Sequence, residues 1–100
     1  MTYKAPVDDI VFTLNHEAGF ARLVQSGAYP DLSDDLVDAI LDEAAKFADN
    51  VVAPLSWEGD QTGARLEADG VKVPENFKQA YAKYVESGWS TLAAPTDYGG

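Results

Sequence analysis

The sequence predicts a mainly helical chain, and three observations carry that prediction. Apolar residues recur at helical spacing from Leu36 to Val52 and again from Phe77 to Val85. Both stripes are bounded by residues that start and stop helices. Only the stretch 65–73 has the turn chemistry of a hairpin, so strand content should be small.

Taken in order, residues 1–32 read as an N-terminal arm and a short helix. Val7, Ile10, Val11, Phe12 and Leu14 form an apolar cluster after the Pro6 turn, and Asp8-Asp9 suit the start of a helical turn. The cluster is short, and it is expected to dock as an arm on something larger. Phe20, Leu23 and Val24 predict a short helix over 17–25, ended by Ser26-Gly27 before a turn at Tyr29-Pro30-Asp31.

A long helix is expected over 34–52. Ser33 is its N-cap, and Asp34 and Asp35 stand in the first turn, where the helix dipole favours negative charge. Asp42 and Lys46 form a favourable i, i+4 pair, while Asp38 and Asp42 repel. Pro54 should stop the helix by pushing Ala53 out of the helical region. Residues 55–73 read as a long connection, with glycines at 59, 63 and 70 for sharp turns. Within it, 65–67 and 71–73 are expected to pair as a small hairpin about Ala68-Asp69-Gly70.

A second helix is expected over 75–87. Pro74 fits the first helical position, Glu75 the first turn and Gly88 a left-handed C-terminal cap. Phe77, Ala80, Tyr81, Tyr84 and Val85 make its apolar stripe, and Trp89 is expected to fold back over its end. Leu92, Ala93 and Ala94 then lead through Pro95 to Tyr98-Gly99-Gly100, an apolar run and turn that read as continuing into a longer polypeptide.

Composition narrows the function. One hundred residues make one domain at most, and 46% hydrophobic with 11% aromatic residues is ordinary for a folded protein. A net charge of −10 repels nucleic-acid phosphates and anionic membranes, so neither partner is expected. The absence of cysteine excludes disulfide and thiolate chemistry within the chain. No apolar run approaches the ~20 residues that span a bilayer, and the N-terminus lacks the basic start and apolar core of a signal peptide. A cytoplasmic protein is expected.

Candidate chemistry is sparse. His16 is the sole histidine and has no companion at ligand or catalytic spacing, so a structural role is expected and no metal site. The acids at 34, 35, 38, 42, 43 and 49 read as a solvated helix face rather than a catalytic carboxylate pair. A calcium loop starting at Asp60 fails at Thr62, Ala64 and Val71. Ser33-Asp34-Asp35-Leu36 lacks the Asp-Ser-Leu order that phosphopantetheine carriers need, although a small acidic carrier or interaction module stays open as the alternative. No phosphate loop, dinucleotide glycine motif or nucleophile elbow is present. From the residues alone, the chain is a small acidic helical unit without chemistry of its own.

Three segments resemble one family. Tyr3 to Asp9 leading to Phe12 is similar to the N-terminal arm of a bacterial branch of the acyl-CoA dehydrogenases. Ala53-Pro54-Leu55, Glu58-Gly59-Asp60 and Gly63-Ala64 resemble the end of the family's first long helix and the loop after it. Asp69-Gly70-Val71, Pro74, Phe77-Lys78, Ala80-Tyr81, Gly88-Trp89, Leu92, Ala94-Pro95 and Tyr98-Gly99-Gly100 resemble its second helix and the following turn. The similarity is greatest to the branch containing 3-methylmercaptopropionyl-CoA dehydrogenases, which use a sulfur-containing thioester.

The resemblance implies the first part of an N-terminal helical domain, belonging to a protein several times longer. It implies FAD, an acyl-CoA thioester oxidised to the 2,3-enoyl-CoA, an electron-transfer flavoprotein as acceptor, and a homodimer or homotetramer. A glutamate takes the α-proton while the β-hydrogen leaves as hydride to the flavin. In the family that glutamate and most flavin contacts lie in later domains. No catalytic, cofactor-binding or metal residue is therefore expected in 1–100, and the piece alone should be inactive. Only Tyr98 and Gly99 are expected near the edge of the acyl pocket.

Overall fold

The computed structural model describes residues 2–100 and is helical apart from one two-stranded hairpin. The chain forms two compact units, Met1–Ala53 and Pro54–Gly100.

In the first unit, helix α1 spans Val7–His16, with Pro6 before it and Asp8 and Asp9 in its first turn. Val7, Val11 and Leu14 are half-buried at i, i+4 and i+7, and α1 packs on both α2 and α3. The apolar cluster expected as a docking arm is thus a three-turn helix, stabilised by tertiary packing rather than propensity. The Ala5 N–H donates to Asp49 Oδ1 at 2.8 Å and ties the arm ahead of α1 to the far end of the unit. Helix α2 spans Phe20–Gln25, not 17–25. Residues 17 and 18 instead close α1, both amides donating to the Thr13 carbonyl, and Gly19 at φ 65° turns the chain.

Helix α3 spans Asp34–Phe47 and continues through Ala48–Val52 as a π-helical turn, which together fill the expected 34–52. Ser33 caps it as expected: the hydroxyl accepts from the Leu36 N–H at 3.3 Å. Lys46 pairs with Glu43 at 2.6 Å, not with Asp42 as the i, i+4 spacing suggested. Val37, Ile40, Leu41, Ala44, Phe47 and Val51 are half-buried, whereas Leu36 and Val52 at the ends of the stripe are exposed.

The expected action of Pro54 needs correction. Ala53 keeps helical dihedrals, φ −56° and ψ −40°. Pro54 has no N–H to donate, and a proline ring in a regular helix presses on the carbonyl four residues earlier. The backbone answers by widening: Ala53 N–H bonds to the Ala48 carbonyl five residues back, at 2.8 Å.

The second unit opens with helix α4, Leu55–Thr62, where a loop was expected. Gly59 sits within α4 and lets it approach Phe77; a Cβ there would lie 2.7 Å from the Phe77 Cζ. Strands β1 (Arg65–Glu67) and β2 (Gly70–Lys72) pair antiparallel with Leu66 opposite Val71. The hairpin forms where expected, but its loop is Ala68-Asp69, and Gly70 belongs to β2 at φ 127°.

Helix α5 spans Glu75–Glu86. Pro74 is its N-cap rather than its first helical residue, extended at ψ 136°. Ala80 and Pro74 are the unit's buried residues, and most of the aromatic stripe stays open, Tyr81 at 69%. Gly88 takes the left-handed cap at φ 82°. The 3-10 turn Trp89–Thr91 follows in contact with α5, and Trp89 is half-buried.

Candidate functional site

The two residues expected at a pocket edge lie on a tightly closed turn. Pro95 is extended at ψ 147° and starts the 3-10 turn Thr96–Tyr98. Tyr98 N–H and Gly100 N–H both donate to the Pro95 carbonyl, at 2.9 and 3.0 Å, and Gly99 N–H donates to Thr96 at 3.1 Å. Gly99 sits at φ 89°, a backbone state that side chains resist. Gly100 has no room for a side chain, since a Cβ would fall 1.7 Å from the Ala94 carbonyl oxygen. The double glycine is thus a steric requirement of the turn. It presents the Tyr98 ring outward, 84% exposed, on a backbone held by three hydrogen bonds.

A presented phenol on a fixed turn can stack on or hydrogen-bond to a partner. The other residues weighed from the sequence are placed elsewhere. His16 ends α1 with its ring 4.7 Å from that of Phe12 and lines a groove of about 490 Å³ with Asp8, Asp38 and Asp42. No group of three or more ligating side chains could hold a metal among the described residues. The Ser33 hydroxyl is engaged as a helix cap. No helix is long and apolar enough to cross a membrane, among the described residues.

Sequence reasoning missed one polar junction. The Asn76 side-chain amide donates to Glu58 Oε2 at 2.5 Å, joining the start of α5 to α4. Its Oδ1 is buried without a hydrogen-bond partner. The signal was hidden because Glu58 lies in a stretch read as loop.

A flavin dinucleotide needs cations or open amide donors for its diphosphate. The grooves of the first unit are lined by carboxylates and no lysine or arginine. The groove of the second unit carries Arg65, Lys72 and Lys78, each already paired with a carboxylate, Lys72 with Asp69 at 2.9 Å. The residues lining these grooves do not fit a flavin diphosphate.

No protein-family model matches the chain. Curated relatives do. The chain is 40% identical over 100 residues to 3-methylmercaptopropionyl-CoA dehydrogenase of Ruegeria pomeroyi, covering all of this chain and 17% of that protein. It is 28% identical to the broad-specificity linear acyl-CoA dehydrogenase FadE5 of Mycobacterium tuberculosis, over 98% of this chain and 16% of the relative. It is 31% identical over 90 residues to butyryl-CoA dehydrogenase of Syntrophomonas wolfei, 86% of this chain and 15% of the relative. The chain therefore spans about one sixth of the length of the relatives it matches. Three proteins named as acyl-CoA dehydrogenases thus align with 86% or more of the helical chain, and the chain is similar to a segment of each.

Proposed function

We propose that the chain is the N-terminal helical part of an FAD-dependent dehydrogenase that oxidises an acyl-CoA thioester to the 2,3-enoyl-CoA. The observation that carries this reading is the 40% identity across all 100 residues to a protein named for that class of reaction. The same relative makes 3-methylmercaptopropionyl-CoA the first substrate to test. The proton acceptor and the flavin contacts are assigned to the remainder of the polypeptide, and the isolated segment is inactive. Its own contribution is a rigid edge: the Pro95 to Gly100 turn holds Tyr98 and Gly99 against the acyl pocket. Electron-transfer flavoprotein as electron acceptor, assembly as a homodimer or homotetramer, and a cytoplasmic location complete the proposal.

The test is purification of the full-length polypeptide. A yellow protein that releases FAD and reduces an artificial acceptor with 3-methylmercaptopropionyl-CoA or butyryl-CoA supports the reading. A colourless protein that reduces nothing with either thioester overturns it. In the active enzyme, Tyr98→Ala should raise KM for the thioester with kcat little changed; an unchanged KM removes Tyr98 from the pocket edge.

A further inference from the structure

We infer that a trough along α1 and α3 of the first unit docks a cationic amphipathic helix of a partner protein. Two adjoining grooves, of about 490 and 420 Å³, share Val11, Asn15 and Asp38 and so form one feature. Its floor is apolar: Val7, Val11 and Leu14 of α1, Phe20 of α2, Val37 and Leu41 of α3. Its rim is acidic, with Asp8, Asp34, Asp38 and Asp42. No lysine or arginine lines it, and none of these four carboxylates has an ion-pair partner among the described residues. Lys46, four residues from Asp42, is held by Glu43 at 2.6 Å, and Lys4 and Arg22, near the trough in sequence, do not line it.

Charge complementarity selects the occupant. The first unit carries ten acids against three bases, Lys4, Arg22 and Lys46. A second copy would bring the same excess of negative charge to the trough, and phosphate-bearing partners are repelled likewise. A helix with apolar residues at i, i+3/i+4 and i+7 fills the floor, and flanking lysines or arginines reach the rim. Such a cation also relieves the i, i+4 repulsion between Asp38 and Asp42. Helix α3 is 14 residues long, about 21 Å, so a partner helix of similar length matches the trough. The inference rests on the groove alone and stands apart from the dehydrogenase reading.

The probe is a fluorescein-labelled amphipathic peptide of about 14 residues built from Leu and Lys, with a Leu/Glu peptide as control. Each is titrated by anisotropy against the 100-residue chain and against the full-length polypeptide. The Leu/Lys peptide should bind both, shifting the amide resonances of Val11, Asn15, Val37 and Asp38 in the 100-residue chain, and the Leu/Glu peptide should not bind. Asp38→Asn with Asp42→Asn should weaken binding about tenfold, by loss of two ion pairs. Both lie on an exposed face and repel each other, so the variant keeps its helices, which far-UV circular dichroism checks. Asp60→Asn with Glu67→Gln removes the same charge from the second unit and should leave binding unchanged. Equal weakening by the two double variants, amide shifts centred elsewhere, or no binding each overturns the inference. So does binding to the 100-residue chain but not to the full-length polypeptide, which makes the remainder of that polypeptide the occupant. A concentration-dependent dimer that excludes the peptide does the same in favour of a second copy.

Discussion

Gly59→Ala tests the packing of the second unit, because two effects of opposite sign meet at one atom. Gly59 lies inside α4, where alanine is intrinsically better than glycine by about 1 kcal/mol. The added Cβ, however, would stand 2.7 Å from Phe77 Cζ and 3.1 Å from Cε1. The first separation is shorter than carbon atoms tolerate and the second is tight, so the Phe77 ring must swing away or α4 must shift. Overpacking of that kind costs about 1–3 kcal/mol. Phe77 is 37% exposed, which gives the ring somewhere to go and places the cost toward the lower end. The net change in the parent is therefore a loss of about 0–1 kcal/mol, too small to interpret alone.

The coupling is decisive. With Phe77→Ala the obstruction is gone, and Gly59→Ala should then stabilise by its full helix-propensity gain of about 1 kcal/mol. Urea unfolding of the four proteins, followed at a helical wavelength, gives a coupling energy of about 1–2 kcal/mol. Amide exchange within α4 and α5 reads the same coupling locally. If Gly59→Ala stabilises both backgrounds by the same amount, the close approach of α4 to Phe77 is refuted.

Four further outcomes are expected. Asp49→Ala removes the acceptor of the Ala5 N–H bond; at about 1–2 kcal/mol the Ala5 amide should lose exchange protection while α5 keeps its own. Ser33→Ala deletes the cap of α3 and should cost about 1 kcal/mol, seen as a lower urea midpoint, whereas Ser33→Asp should retain most of the stability. The hydrogen bond from Glu43, and then its charge, holds the Lys46 ammonium above the ordinary lysine range. That raised value makes the pair's contribution complete below the ordinary lysine pKa and lost as pH climbs through the raised one; Glu43→Gln should lower the Lys46 midpoint in a side-chain carbon NMR titration, and an unmoved midpoint rejects the pair. Gly100→Ala, tested in the full-length polypeptide, should distort the turn through its 1.7 Å clash with the Ala94 carbonyl and perturb the Tyr98 ring resonances; unaltered resonances would show the turn to be slack.

What was legible in the sequence is what local chemistry decides. The Ser33 cap with Asp34 and Asp35 behind it, the left-handed Gly88 and the short hairpin each depend on residues a few positions apart. Helix α4 was not legible, because its eight residues include Gly59 and end at Gly63, both of which read as turns. The glycine at 59 makes sense only beside Phe77, and Glu58 only beside Asn76, eighteen residues away. Tyr98 and Gly99 were legible as a turn, and the structure adds the reason the glycines cannot be replaced.

Asp49 shows where such reading stops in physical terms. By spacing it belongs with Asp34, Asp35, Asp38 and Asp42 on one acidic helix face. Its neighbours on that face stay in solvent, whereas Asp49 is half-buried and accepts the amide of Ala5, 44 residues earlier. The difference lies in the arm ahead of α1, whose Ala5 amide reaches Asp49 and not the other carboxylates of that face. A periodicity of 3.6 tells which residues share a helix face, not which segment from elsewhere in the chain covers one of them, so the residue that anchors the arm reads as one more solvated acid.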